Sequence, residues 1–105
     1  MGQFFAYRNP NPASNAQYPY LLDIQNDLLS GLRTTIVIPL TPSKVVAAIS
    51  LSRLNPAFSL DGESFTAMTQ DIAGVDRSQL GAQTCDLSVY RSDIIAAVDF
   101  VLSGI

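Results

Sequence analysis

The sequence predicts a mainly β fold, a small and strongly bent antiparallel sheet or barrel that is capped by one C-terminal helix. Short apolar runs alternate with turn residues, and no strand, helix and second strand follow one another as in a βαβ unit. The strongest helical periodicity lies at the end of the chain, from Leu87 to Leu102. A chain of 105 residues has room for one core. We therefore expect a single domain spanning residues 1–105.

Two strands are predicted around a turn-rich loop near the amino terminus. Gln3 to Tyr7 is short and aromatic, whereas Asn9 to Asn15 contains two prolines and should form an exposed, mobile loop. A half-buried strand should follow and end near Asn26, because apolar residues occupy every second position there and would lie on one face of a strand. The residues of this apolar face are Tyr18, Tyr20, Leu22 and Ile24.

The connection after this strand carries two adjacent leucines, Leu28 and Leu29. Such a pair is more often packed beneath a loop than displayed to a partner, so the residues alone favour a structural role. Gly31 then marks a break before a third strand, Thr34 to Leu40, which is the most β-branched run of the chain.

The middle of the chain predicts a short turn, a hairpin and one more strand. Thr41 and Pro42 are typical of a helix start, so residues 43–49 should form a short helix or a 3₁₀ turn. Phe58 to Met68 is predicted to be a hairpin with Asp61 and Gly62 at its turn. A short strand around residues 77–81 should then lead to the closing helix.

Both ends of the closing helix carry recognisable signals. Asp86 or Ser88 can cap its start, and Gly104 lies where a left-handed C-cap residue is expected, with Ile105 folding back on Phe100. The opposite face of the helix holds Val89 and Phe100 among polar residues, so this face can contact a second partner in addition to the sheet. The arc predicted to lie against the sheet comprises Leu87, Tyr90, Ile94, Val98, Val101 and Leu102, with Ile95 at its margin.

Composition excludes several classes of function. The chain is 48% hydrophobic and 14% charged, so it should fold. Part of its apolar surface should be buried against a partner, and dimerisation is expected. Its net charge is −3 and its basic residues are scattered, which argues against direct binding to nucleic acid. The one cysteine, Cys85, is expected to be a small buried hydrophobe. Without a signal segment or a spanning run, the expected location is the cytoplasm.

The sequence favours recognition of another protein over catalysis. It has no histidine, which is the commonest general base and metal ligand. Asp61 and Glu63 flank a predicted hairpin tip, where carboxylates are ordinarily solvated. The remaining carboxylates show no metal-site spacing, so neither a metal nor a cofactor is expected. The carboxylates considered for a metal are Asp23, Asp27, Asp71 and Asp76.

Four segments resemble the CcdB family of toxins, in the family's order and spacing. They are residues 23–29 (DIQNDLL), residues 36–40 (IVIPL), residues 68–75 (MTQDIAGV) and the ending from Asp86-Leu87-Ser88 through Ile94 and Phe100 to Gly104-Ile105. The resemblance covers nearly the whole chain. It implies a toxin of a type II toxin–antitoxin module, a homodimer with an SH3-like barrel and a C-terminal helix. Such a toxin binds the DNA gyrase A subunit and traps gyrase on cleaved DNA, without a cofactor or catalysis of its own, and a CcdA-like antitoxin wraps it and releases gyrase.

The resemblance also implies the residues that contact gyrase. The family's terminal Gly-Ile pair is unchanged at Gly104 and Ile105, and its pair of adjacent aliphatic residues becomes Leu28 and Leu29. An amide of the family's helix becomes Asp99. An aromatic residue becomes Leu102, and a tryptophan becomes Ser103. The implied gyrase-binding set is Leu28, Leu29, Asp99, Leu102, Ser103, Gly104 and Ile105.

Asp99 also has an unfavourable electrostatic position within its own helix. A carboxylate in the last helical turn opposes the helix dipole, and no Lys or Arg follows it. A basic group on a partner would compensate for it.

Two alternatives remain open. One is a degenerate homologue that binds antitoxin without poisoning gyrase, which the replacement of tryptophan by Ser103 suggests. The other is an endoribonuclease similar to the MazF toxins, whose site would need an arginine together with Thr41 or Asp23. The candidate arginines are Arg8, Arg33 and Arg53.

Overall fold

Seven short strands form one curled antiparallel sheet in the computed structural model, which describes residues 2–46 and 53–104. The strands are β1 (Phe5–Arg8), β2 (Tyr20–Asp23), β3 (Thr34–Pro42), β4 (Ala57–Leu60), β5 (Glu63–Ala67), β6 (Ala73–Asp76) and β7 (Gln83–Asp86). One helix, α1 (Arg91–Ser103), closes the described chain. Short 3₁₀ turns lie at Asp27–Leu29, Ser43–Val45, Thr69–Asp71, Arg77–Gln79 and Ser88–Tyr90.

Strand β3 organises the sheet. It is nine residues long and pairs with β2 along one edge. Its other edge pairs with β6 near the start of β3 and with β5 near its end. The strand order is β4-β5-β3-β2-β1-β7, with β6 beside β3. Because one edge of β3 serves two strands, the sheet splits there. Its twisted strands curl into a half-barrel, which confirms the predicted fold class.

The concave face of the sheet holds the core, and α1 covers it. Ile94 of α1 is almost fully buried against the sheet, as the helical periodicity predicted. Leu87 is buried as well, but it precedes α1, so the predicted helix starts later than expected. The last turn of α1 departs from that prediction, because Val101 and Leu102 are exposed beyond the edge of the core. The core cluster comprises Phe4, Ala6, Leu22, Ile38, Leu40, Phe58, Leu60, Phe65, Ala67, Leu87 and Ile94.

Strand β2 is buried on both faces, so the prediction of a half-buried strand is wrong. Leu22 faces the core, while Leu21 and Asp23 on the opposite parity are also buried. The segment before β2 and strand β6 cover this second face, because Tyr18 and Val75 line one groove with Leu21. The strand also ends earlier than expected, at Asp23, whose carboxylate accepts a hydrogen bond from the Gln25 backbone N–H at 3.1 Å.

The loop after β1 is organised around Asn9, which is buried rather than exposed. Its side-chain amide donates to the Ser14 hydroxyl at 3.0 Å and to the Tyr18 carbonyl at 2.8 Å. Its side-chain oxygen accepts from the Asn11 N–H at 3.1 Å. Hydrogen bonds of the buried Asn9 side chain therefore hold the predicted exposed loop in place.

The predicted hairpin is present as β4 and β5. Asp61 and Gly62 both adopt positive φ, at 51° and 82°, as a tight hairpin turn with the right-handed strand twist requires. The turn predicted after β3 begins at Ser43, but Thr41 does not cap it, because Thr41 is still paired within β3. The remainder of that predicted segment, residues 47–49, lies outside the described residues.

No strand occupies residues 77–81, contrary to prediction. Asp76 accepts a hydrogen bond from the Ser78 N–H at 2.9 Å and so caps a 3₁₀ turn at Arg77–Gln79. The strands β6 and β7 lie on either side of this turn. Gly81 then passes so close to β1 that an added Cβ would lie 2.7 Å from the Arg8 carbonyl oxygen.

The C-terminal end of the closing helix follows the sequence signal, but its start does not. Helix α1 begins at Arg91, and its N-cap residue, Tyr90, makes no side-chain capping hydrogen bond. Asp86 accepts from the Ser88 N–H at 2.9 Å and so begins the 3₁₀ turn that leads into α1. Gly104 has a φ of 75°, and its N–H donates to the Phe100 carbonyl at 2.9 Å. The Arg53 guanidinium lies 5.3 Å from the Phe100 ring, so part of the opposite arc has an intramolecular partner. The predicted Ile105 contact lies outside the described residues.

No helix in the described part of the chain is long and apolar enough to cross a bilayer.

The burial pattern predicts a contrast between two leucines of the same chain. Leu22→Ala removes a fully buried side chain and should lower the free energy of unfolding by about 2–5 kcal/mol. Leu28→Ala alters an exposed side chain and should change it by less than about 0.5 kcal/mol. Urea unfolding of both variants measures the contrast, and equal losses would contradict this core.

Candidate functional site

The turn after β2 displays its leucines to solvent. We call residues 27–32 the leucine turn. Leu28 is 91% exposed and Leu29 is 46% exposed, so the expectation that they pack beneath the loop is wrong. Leu32 is also exposed. Clustered apolar side chains on a soluble protein are typical of a binding surface.

Hydrogen bonds within the leucine turn fix its backbone. The Asn26 side chain accepts from the Leu28 N–H at 2.8 Å and caps the 3₁₀ turn. The Ser30 N–H donates to the Asp27 carbonyl at 3.0 Å, and the Leu32 N–H donates to the Leu29 carbonyl at 3.0 Å. The leucines therefore project from an ordered support.

Asp27 ties the leucine turn to the amino-terminal segment. Its Oδ1 atom accepts hydrogen bonds from the N–H groups of Gly2 and Gln3, both at 3.0 Å. The chain's amino group, together with these two N–H groups, lowers the pKa of Asp27 to about 2. The carboxylate is thus stabilised in its charged form.

Arg77 holds the other half of the leucine turn. Its Nε donates to the Leu32 carbonyl at 2.7 Å, and its Nη2 donates to the Leu29 carbonyl at 3.3 Å. Sequence reasoning missed this residue, which it placed in a strand. A contact across 45 positions leaves no periodic signal in a single sequence.

The last turn of α1 forms a second exposed surface. Leu102 is 79% exposed, and Asp99, Ser103 and Gly104 are exposed beside it. No basic residue lies in this turn. The Ser103 hydroxyl donates to the Asp99 carbonyl at 2.8 Å, so it satisfies a helix carbonyl of its own chain. The seventh predicted site residue, Ile105, lies outside the described residues.

Different parts of the fold position the two surfaces. The leucine turn is fixed by Gly2, Gln3 and Arg77, whereas the end of α1 follows Phe100, over which Arg53 lies. The leucine turn combines three exposed leucines with the Asp27 carboxylate, and the end of α1 combines one exposed leucine, Leu102, with the Asp99 carboxylate.

The residues considered for a ribonuclease site have other contacts. Arg33 forms an ion pair with Asp76, and Arg8 lies 5.6 Å from the Tyr20 ring. Asp23 is buried and accepts from Thr35. Thr41 is buried within β3. Within residues 2–46 and 53–104, no group of three potential metal-ligating side chains occurs.

The structure also contains a groove that the sequence did not predict. It has a volume of about 390 Å³ and lies on the convex face of the sheet, between the Asn9 loop and β6. Leu21 and Val37 form its floor. The Tyr18 hydroxyl donates to Asp71 at 3.0 Å beside it, and burial followed by this carboxylate raises the pKa of Tyr18.

A curled antiparallel sheet covered by one C-terminal helix defines a small SH3-like barrel protein. The model of the CcdB protein family matches residues 3–104, which is nearly the whole chain. The chain therefore belongs to the CcdB family, and this membership supports a role as the toxin of a toxin–antitoxin pair.

A solved structure shares the fold. It is described as an endoribonuclease in complex with its cognate antitoxin from mycobacterial species. The TM-score is 0.75 over 97% of this chain and 94% of that chain, with 13% sequence identity. At this identity the likeness shows a common fold.

The carboxylates around the leucine turn predict an acid-sensitive stability. The pKa of Asp27 is lowered from 3.8 to about 2. Hydrogen bonds from the Ser78 backbone and hydroxyl, followed by one from Arg33, lower the pKa of Asp76 from 3.8 to about 2 as well. Because folding lowers both pKa values, their stabilisation should be complete above pH about 4 and lost as the pH falls toward 2.

The free energy of unfolding in urea, measured at about one-unit intervals between about pH 5 and about pH 2, reports this effect. Asp27→Asn and Asp76→Asn should each flatten the fall in unfolding free energy below pH about 4. Identical pH profiles for wild type and both variants would contradict these contacts.

Proposed function

We propose that this protein is the toxin of a type II toxin–antitoxin module that binds the DNA gyrase A subunit and traps the complex of gyrase with cleaved DNA. A CcdA-like antitoxin neutralises it. The observation that carries the proposal is the display of Leu28 on a hydrogen-bonded turn, in a chain of the CcdB family. The family resemblance implied this leucine pair as a gyrase contact.

The exposed leucines suit a protein partner for energetic reasons. Burying a leucine side chain that water surrounds stabilises a complex by about 1.5–3 kcal/mol. The hydrogen bonds of Asn26 and Asp27 order the turn before binding, so less conformational entropy is lost on association. Leu28 and Leu29 are therefore the proposed apolar anchor for gyrase.

The end of α1 supplies a second proposed contact. The carbonyl groups at a helix C-terminus carry partial negative charge, and Asp99 adds a carboxylate with no basic residue in the same turn. Leu102 offers apolar surface beside them. This combination fits a basic side chain of gyrase whose aliphatic stem packs on the leucine. Ser103, Gly104 and Ile105 complete the proposed contact.

A homodimer is part of the proposal. Ile36, Ile95 and Val101 are partly exposed in addition to the leucines assigned to gyrase, which leaves apolar surface for a second copy. Sedimentation equilibrium at micromolar concentration should give twice the chain mass, and a monomer would exclude this arrangement. Residues 1–105 act as one toxin domain in the cytoplasm, without a cofactor and without catalysis by the toxin.

A DNA-cleavage assay tests the function. Purified protein with gyrase, DNA and ATP should yield a double-strand break when detergent is added. Leu28→Asp places a charge in the proposed interface and should weaken gyrase binding by about thirtyfold or more. Val45→Asp, at another exposed apolar position, should leave the binding unchanged.

Other outcomes of the same assay assign the alternatives. Antitoxin binding without trapped DNA would indicate a degenerate homologue, and trapping gained by Ser103→Trp would locate its defect. Cleavage of single-stranded RNA, in a preparation free of contaminating nuclease, would instead support an endoribonuclease.

A further inference from the structure

We infer that Arg77 is a positioning residue for the gyrase contact, because its guanidinium fixes the backbone from which Leu28 and Leu29 project. This inference rests on the proposed function. Arg77 itself belongs to the turn after β6 and is not one of the implied contact residues. Its role would be to hold the leucine turn in one conformation before gyrase binds.

The planar guanidinium of Arg77 donates hydrogen bonds to two carbonyls of the leucine turn. The Arg77 backbone N–H donates to the Arg33 carbonyl at 2.9 Å, which sets its Cα beside the entry to β3. From there the side chain reaches back to the carbonyls of Leu32 and Leu29, at 2.7 Å and 3.3 Å. These carbonyls are three residues apart, so holding both fixes the path between them.

A buried carboxylate supports the guanidinium from the other side. Asp23 is 2% exposed, and its Oδ2 atom lies 4.0 Å from Nη1 of Arg77. Its Oδ1 atom accepts from the Thr35 hydroxyl at 2.7 Å and from the Gln25 N–H at 3.1 Å. These hydrogen bonds orient the carboxylate. An added Cβ at Gly2 would lie 2.8 Å from Oδ2, so the main chain approaches closely there.

Arginine suits this position better than lysine. The guanidinium donates in several fixed directions in one plane, whereas the lysine ammonium is a single point charge on a flexible stem. A lysine at position 77 could remain near Asp23 and keep the buried carboxylate compensated. It could not hold both turn carbonyls in the same geometry. The Gln25 side chain, at 3.5 Å from the Leu29 carbonyl, is a weaker support.

The two halves of the leucine turn thus have separate anchors. Asp27 binds the amino-terminal segment, and Arg77 holds the carbonyls of Leu29 and Leu32. Losing the second anchor should increase the motion of the leucines without removing any contact atom. The expected consequence is a weaker complex with gyrase, because the turn must then be ordered on binding.

The test compares Arg77→Lys with Arg33→Lys. Arg33 is a neighbouring arginine whose guanidinium pairs with Asp76 and holds neither turn carbonyl. The first readout is amide hydrogen exchange in residues 28–32 of the free protein, which should become faster in Arg77→Lys only. The second is affinity for the gyrase A subunit, which should fall by about three- to tenfold in Arg77→Lys only.

A double-mutant comparison separates positioning from a general structural effect. In a Leu28→Ala, Leu29→Ala background, Arg77→Lys should cause no further loss of affinity, because the groups that it positions are absent. An equal loss in both backgrounds would overturn the inference. Unchanged exchange in residues 28–32 would also overturn it, whatever the affinity.

The leucine variants themselves report on the proposed function. If Leu28→Ala, Leu29→Ala binds gyrase like wild type, the leucine turn is not the gyrase contact, and both the site assignment and the positioning role fail. If that variant loses affinity while Arg77→Lys does not, the proposed function stands and Arg77 is not a positioning residue.

Discussion

The shared edge of β3 is the constraint from which the rest of the structure follows. Its start pairs with β6 and its end pairs with β5 along the same side, while β2 occupies the other side. Beyond this edge β5 pairs with β4, whereas β6 lies off that path beside β3, so the sheet splits, and the right-handed twist of its strands curls it. Curling encloses the core, and the open side is closed by Ile94 of α1 and by Leu87 of the segment before α1. The pairing of β3 with β6 also brings the turn that follows β6 beside the entry to β3, where Arg77 meets the leucine turn.

This arrangement separates the core from the two exposed surfaces, the leucine turn and the end of α1. The core is complete without Leu28 or Leu102, so these side chains can remain exposed while the fold is stable. The supports of the leucine turn are polar: the Asn26 cap, the Asp27 carboxylate and the Arg77 guanidinium. Polar supports fix a short turn without burying its apolar side chains. The chain thereby keeps leucines on its surface in a defined geometry.

Local signals in the sequence predicted the elements that local chemistry determines. The Asp61–Gly62 hairpin and the Gly104 C-cap depend on positive φ within a few residues, and both were predicted correctly. The burial of both faces of β2 depends on distant partners, which its periodicity does not report. The turn at Arg77–Gln79 depends on a side-chain cap from Asp76, which hydrophobic periodicity does not report either. For Leu28, local reasoning favoured a packed side chain, whereas the family resemblance implied a contact residue. The exposure of Leu28 agrees with the second interpretation.

The proposed gyrase contacts are the leucine turn and the end of α1. Hydrogen exchange of this protein, with and without the isolated gyrase A subunit, tests them directly. Gyrase binding at these two surfaces should slow exchange in residues 26–32 and in the last turn of α1, with little change around the groove beside Asn9 and Tyr18. Protection confined to that groove, or no protection at saturating gyrase A subunit, would exclude these contacts.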